Sequence, residues 1–192
     1  FTTDVNAAAL GEKTFGAAKG LTSCLYMTIG TGIGAGAIVN NELLEGISHP
    51  EMGHILVRRH PDDDFPGICP NHGDCLEGMA SGPAIEKRWG KKGVELADKK
   101  DVWELEAYYI AQALVNYILI LMPERIIIGG GVSKQRIIFQ LIREKVKQFL
   151  NEYISLPHVD EDIDYYIVPP GLDGNSGLIG GFVLGQHALD SQ

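Results

Sequence analysis

The rhythm of apolar and polar positions changes several times along the 192 residues, and each change marks an element. Residues 4–18 are alanine-rich and predict a helix with Gly20 as its stop, because alanine loses least on entering a helix and glycine readily ends one. Residues 23–29 form a short apolar run, residues 30–36 a glycine loop and residues 37–40 a second short run, the pattern of strand, tight loop and strand. Asn40-Asn41 follows as a turn candidate. Between residues 46 and 82 no period survives; prolines, glycines, histidines and acids alternate. A stretch that long without secondary structure needs another organiser.

Periodicity returns at residues 83–89, predicted as a helix, with a second at 94–100. Residues 102–122 carry the clearest helical signal, with Leu105, Tyr109, Leu114, Ile118 and Leu121 near one face, and Pro123 ends it. Residues 125–128 read as a buried strand running into Gly129-Gly130-Gly131, with Ser133 starting a helix that continues to about residue 153. Residues 164–168 are the last predicted strand, halted by Pro169-Pro170, and residues 176–189 the final helix. Helices that follow strands through glycine loops define an α/β lobe with ligands at the strand ends.

Composition narrows the partners. Hydrophobic residues make up 45% and charged residues 21%, a globular balance that argues against disorder. Glycine is abundant, 24 residues, with clusters at 30–36 and 129–131, where backbone turns or ligands approach closely. A net charge of −9 disfavours nucleic acid and anionic membrane as partners. It leaves room for a nucleotide, which arrives with Mg²⁺ and binds through backbone N–H groups. No apolar run reaches membrane-spanning length, and three cysteines, an odd number, fit a reducing cytoplasm. The chain opens on Phe1 rather than Met and reads as a fragment.

Cys69-Pro70-Asn71-His72-Gly73-Asp74-Cys75 places two thiols and an imidazole within seven residues, a set suited to tetrahedral Zn²⁺. Gly73 lets the backbone turn so that both flanks face inward. His54, His60, His49 and Cys24 compete for the fourth position. The bland alternative is two incidental cysteines beside a surface histidine, but residues 48–82 hold too little apolar material to fix their own shape.

Gly30-Thr31-Gly32-Ile33-Gly34-Ala35-Gly36 is no Walker A loop, because no Lys-Ser/Thr pair follows it. Bare glycines after a strand could equally form a tight hairpin. Thr31, a hydroxyl where backbone N–H groups could surround a phosphate, favours a nucleotide, as does the second glycine run at 129–131. Asp4 stands just ahead of a helix, where an aspartate is usually an N-cap. Glu51, His54 and Glu77, tethered to a metal-ordered loop, could grip sugar hydroxyls, although alone such groups are more often solvated surface charge.

Residues 29–54, with their glycine-threonine core, Gly46 and the closing Glu51-Met52-Gly53-His54, resemble the signature of the ROK family of sugar kinases, related repressors and uncharacterised reading frames. The likeness runs from Asp4 to Gly181. It implies an actin/hexokinase-like (ribonuclease H-like) α/β fold of two lobes, with ATP and sugar in the cleft between them. Thr3-Asp4-Val5-Asn6-Ala7-Ala8-Ala9-Leu10-Gly11-Glu12 matches the family stretch that carries the catalytic base, which makes Asp4 that base; the usual preceding Asn is Thr3 here. Thr31 and Gly32 match the phosphate-contacting loop. Pro83 and Gly130, Gly131, Val132, Ser133 and Gln135 match the adenosine side. Glu51, His54 and Glu77 match sugar contacts, with His54 also a metal ligand. His54, Cys69, His72 and Cys75 then form the Zn²⁺ set, and the variant metal segment after His60-Pro61 resembles the bacterial fructokinase branch.

The resemblance therefore implies transfer of the γ-phosphoryl of Mg·ATP to the 6-hydroxyl of a hexose, most simply fructose, in a cytoplasmic protein expected to be a homodimer. Residues 1–192 would be the C-terminal large lobe with its zinc-stabilised loop segment. Residues 1–20 and 176–192 would be inter-lobe helices, and the family's amino-terminal phosphate-loop lobe would lie upstream of Phe1, so the chain alone is expected to be inactive. The rival readings are a ROK glucokinase or mannokinase, a sugar-sensing ROK repressor, for which a base at Asp4 is superfluous, and a zinc-dependent hydrolase, which needs an open metal position.

Overall fold

The computed structural model describes residues 2–190, apart from the side chain of His187. Its centre is a mixed sheet in the order β3-β2-β1-β4-β5. The strands are β1 (Cys24–Ile29), β2 (Ile33–Val39), β3 (Glu42–Leu43), β4 (Ile126–Gly129) and β5 (Ile167–Val168). β1, β2 and β3 pair antiparallel in sequence, while β4 lies parallel to β1 and β5 parallel to β4. Parallel neighbours need crossovers. The first contains α2 (Leu76–Ala80), α3 (Gly82–Trp89) and α4 (Lys100–Leu121). The second contains α5 (Ile137–Leu150), α6 (Pro157–Asp160) and α7 (Ile163–Tyr166).

Alternation along β1 divides the core, as the period-two geometry of a strand requires. Leu25, Met27 and Ile29 join Ile126 and Ile128 against buried residues of α4 and α5, including Trp103, Ile110, Leu114 and Ile142. Cys24 and Tyr26 face the other way with Ile38 and Ile127, onto Ala8 and Ala9 of α1 (Asp4–Phe15). α8 (Ser176–Asp190) covers α1 from outside. The α1–α8 approach depends on glycine: a Cβ at Gly180 would collide with the Ala7 carbonyl, and one at Gly11 with that of Ser176. No helix among the described residues is long and apolar enough to cross a membrane.

Several predicted boundaries change. The glycine loop is only residues 30–32, because Gly34 and Gly36 belong to β2. A Cβ at Gly36 would stand 2.7 Å from both Asn6 Oδ1 and the Val5 carbonyl, so these glycines admit α1 onto the strand. Asn40 and Asn41 both take positive φ, 53° and 67°, and close the β2–β3 hairpin, the backbone that a two-residue hairpin turn demands. Helix α1 ends at Phe15, short of residue 18. Ser133 does not start a helix: its hydroxyl donates to the Gly130 carbonyl at 2.9 Å, closing a 3₁₀ turn at Val132–Lys134, and α5 begins at Ile137. A 3₁₀ turn at Gly93–Leu96 replaces the helix expected at 94–100. Most of the strand expected at 164–168 is the helical turn α7, where Ile163 and Tyr166 are buried, which leaves two residues for β5. Helices α4 and α8 lie where the pattern puts them, and α4 stops at Met122 in the left-handed conformation just before Pro123.

Candidate functional site

The turn 30–32 stands at the C-terminal end of β1 and is held from several sides. Gly30 N–H donates to the Gly32 carbonyl at 2.9 Å, and Gly82 N–H to the Gly30 carbonyl at 2.8 Å. Glu77 Oε2 accepts the Ile33 N–H at 2.8 Å. On the β4 side Gly130 has φ of +90° and lies so close to Ile29 that a Cβ would strike its backbone. Only glycine takes that conformation without strain.

Three cavities open around this edge. The first, about 500 Å³, is lined by Asp4, Thr31, Gly32, Glu51 and Glu77 together with His49. Asp4 is the first residue of α1, but the cap is Thr3, whose hydroxyl accepts the Asn6 N–H at 3.2 Å. The Asp4 carboxylate is therefore exposed to the cavity rather than spent as the cap, and Oδ1 takes only its neighbour's N–H, that of Val5, at 2.9 Å. Glu51 Oε1 lies 2.9 Å from His49 Nε2. The second cavity, about 530 Å³ and mainly apolar, shares Gly30 and Thr31 with the first and adds Pro83, Trp103, Gly131, Val132 and Gln135. The third, about 540 Å³, takes Gly130, Gly131 and Ser133 on the far side of the second glycine run, with Lys134 and Arg136. The residues matched to the adenosine side are thus divided between two adjoining hollows that share Gly131.

The metal candidates converge. One ligand atom each from His54, Cys69, His72 and Cys75 lies within 4.8 Å of the others. Cys69 Sγ is 3.7 Å from His54 Nδ1 and 3.6 Å from His72 Nδ1, and Cys75 Sγ is 3.5 Å from His54 Nδ1. Tetrahedral bonds of ordinary Zn–S and Zn–N length put sulfur and nitrogen about 3.5 Å apart, so the donor set and its spacing fit that ion. Backbone N–H groups, chiefly that of His72, hold the Cys69 thiol down to about 6, towards the thiolate that binds metal, while burial pushes Cys75 up. The competitors for the fourth position lie elsewhere: His49 pairs with Glu51, His60 packs edge-on to Tyr108, and Cys24 is sealed beneath the sheet, where burial pushes its thiol up to about 12.

Sequence reasoning passed over His49 as a cavity residue, and Lys134 and Arg136 altogether. It also missed a buried polar group behind the metal loop. Arg88 Nη2 lies 3.2 Å from Asp63 Oδ2, and Tyr109 donates to the same oxygen at 2.5 Å. The Arg88 guanidinium stacks 4.4 Å from the Phe65 ring centre. Nothing in a Glu-Lys-Arg-Trp run signals that one cation turns inward.

The ROK family model matches residues 1–188, and the chain belongs to the ROK family. It is 62% identical over its whole length to the "Putative fructokinase" of Bacillus subtilis (strain 168), of which it spans 64%. It is 49% identical to the fructokinase of Pediococcus pentosaceus, with 98% of this chain and 64% of that one covered. Among solved structures, a ROK family glucokinase from Streptomyces griseus in complex with glucose and AMPPNP superposes with a TM-score of 0.71 at 27% identity, over 93% of this chain and 65% of that one.

Proposed function

We propose that the chain is the C-terminal lobe of an ATP-dependent hexose kinase that phosphorylates the 6-hydroxyl of fructose. The carrying observation is that Asp4, Thr31, Gly32, Glu51 and Glu77 line one cavity, which shares Gly30 and Thr31 with the apolar hollow of Pro83, Val132 and Gln135. A polar acceptor pocket joined to an apolar base pocket through a glycine turn suits phosphoryl transfer, where positioning and charge stabilisation supply most of the rate. A sugar hydroxyl is a weak nucleophile; Asp4 accepts its proton as the bond to phosphorus forms. Thr31 and the N–H groups of its turn face the transferred phosphate of substrate Mg·ATP. Glu51, Glu77 and His54 hold the sugar hydroxyls, and the relatives' names support fructose as the acceptor.

Zn²⁺ held by His54, Cys69, His72 and Cys75 would supply a scaffold for residues 48–82. Four protein ligands fill a tetrahedral shell, which favours that role over hydrolysis at the metal. An unused aspartate has no place in a sensor, which weighs against the repressor. The test is the full-length gene product assayed for ADP release with Mg·ATP against fructose, glucose and mannose. A preference for fructose supports the reading; no turnover with any hexose refutes it.

A further inference from the structure

Glu77 serves the glycine turn with one oxygen and faces the metal centre with the other. Oε2 accepts the Ile33 N–H at 2.8 Å and sits 2.7 Å from where a Cβ on Gly32 would stand. Oε1 faces His54 Nε2 at 3.8 Å, while Nδ1 of the same ring is turned to the sulfurs of Cys69 and Cys75. One line of contacts therefore runs from the thiols through the His54 imidazole and the Glu77 carboxylate to the backbone of the turn. A second runs through the chain itself. Cys75 is the residue that precedes α2, Glu77 is in its first turn, and Gly82, seven residues beyond Cys75, donates its N–H to the Gly30 carbonyl at 2.8 Å. The segment that starts at a metal-ligating sulfur thus grips both ends of the turn.

We propose that Glu77 is a positioning residue for the phosphate-contacting turn, and that the Cys/His centre sets nucleotide affinity through it. This rests on the kinase reading for the identity of the ligand, Mg·ATP. Two of the three residues in the turn are glycine, which loses more freedom on ordering than any other residue. Unless something fixes it beforehand, that loss falls on nucleotide binding. A filled metal centre locks the His54 ring, the locked ring orients the Glu77 carboxylate, and the carboxylate holds the Ile33 N–H. Residues around a metal are usually discussed as orienting its ligands; here the influence also travels outward.

The test measures binding of a non-hydrolysable Mg·ATP analogue to the full-length gene product by calorimetry, without sugar, in wild type, Glu77→Ala and Glu77→Gln. Thermal melts identify folded protein. Glu77→Ala is expected to weaken nucleotide binding about tenfold, the worth of one charge-assisted hydrogen bond. Glu77→Gln keeps an acceptor for Ile33 and is expected to recover most of that loss, while sugar affinity stays low in both variants. Stripping the metal with a chelator should weaken nucleotide binding in wild type and add little in Glu77→Ala, because the same link is already cut. Equal nucleotide affinity in folded wild type and Glu77→Ala, or a chelation penalty of the same size in both, overturns the proposal. Sugar affinity untouched by either variant, alongside weaker nucleotide binding in Glu77→Ala, would remove Glu77 from the sugar site and leave its positioning role standing. A wild-type protein that binds no analogue would refute the kinase reading and this proposal with it.

Discussion

Ser176 donates its hydroxyl to Glu12 Oε1 at 2.6 Å, joining the first turn of α8 to the last turn of α1 across 164 positions of sequence. The same carboxylate takes the N–H groups of Ala17 at 2.7 Å, Gly171 at 2.9 Å and Leu172 at 3.1 Å. It is fully buried, and its hydrogen-bond donors are all neutral groups, three backbone N–H groups and one hydroxyl. Glu12→Ala would strand several buried donors and should cost at least about 3 kcal/mol. Glu12→Gln, which keeps an acceptor, should cost less. Urea unfolding of the two variants measures the difference, and equal midpoints for wild type and Glu12→Ala would show that the α1–α8 junction does not depend on this group.

The Cys/His centre predicts stoichiometric metal. One Zn²⁺ per chain should copurify, and Cys75→Ser should lose it and lower the melting temperature, since binding to a site that the unfolded chain lacks contributes to folding. Purified protein without zinc, or a melting temperature indifferent to the substitution, would count against the four-ligand set.

Thiol labelling gives an independent reading. Cys69 and Cys75 should resist maleimide while metal is bound and react once a chelator removes it. Cys24, sealed between the sheet and α1 with its thiol pushed up to about 12 by burial, should react only on unfolding. Labelling of Cys24 in the native, chelated protein would mean that α1 lifts away from the sheet far more readily than its packing suggests.

Asp4→Asn in the full-length gene product should lower kcat by about two orders of magnitude or more, with sugar and nucleotide affinities little changed, because a base acts on the transition state. Near-normal turnover would reduce Asp4 to a solvated residue beside the Thr3 cap.

Phe15, Leu178 and Phe182 are exposed on α1 and α8, with Leu178 and Phe182 one helical turn apart. An apolar strip of that kind favours association. The 192-residue chain expressed by itself should self-associate in light scattering, and Phe182→Glu should reduce the mass. It should also release no ADP with fructose and Mg·ATP, and turnover comparable to the full-length gene product would overturn the two-lobe mechanism.

The Cys/His cluster and helices α4 and α8 were legible because their signals are local. Two thiols and an imidazole at close spacing need no fold to be recognised, and α4 repeats its apolar face for five turns. The glycines of β2 were not, because a glycine that admits a packed helix reads the same as one that turns a chain. Glu12 and Arg88 were invisible for a related reason: each lies in an ordinary helical context, and what buries it comes from residues 171–176 or from Asp63 and Phe65. Periodicity reports which face of an element is apolar; it does not report which distant segment delivers the donors to a buried charge.

A surface turn is usually where a chain accepts an extra residue at little cost. The turn at residues 30–32 is an exception written into its surroundings. Two cavities share its floor, Gly82 and Glu77 hold its backbone, and Gly130 leaves no slack against the Ile29 carbonyl. One added residue would shift the register of every one of these contacts together. The length of this loop is therefore as much a part of the chemistry as any side chain, and drift in this protein should be sought in substitutions around the turn rather than in insertions within it.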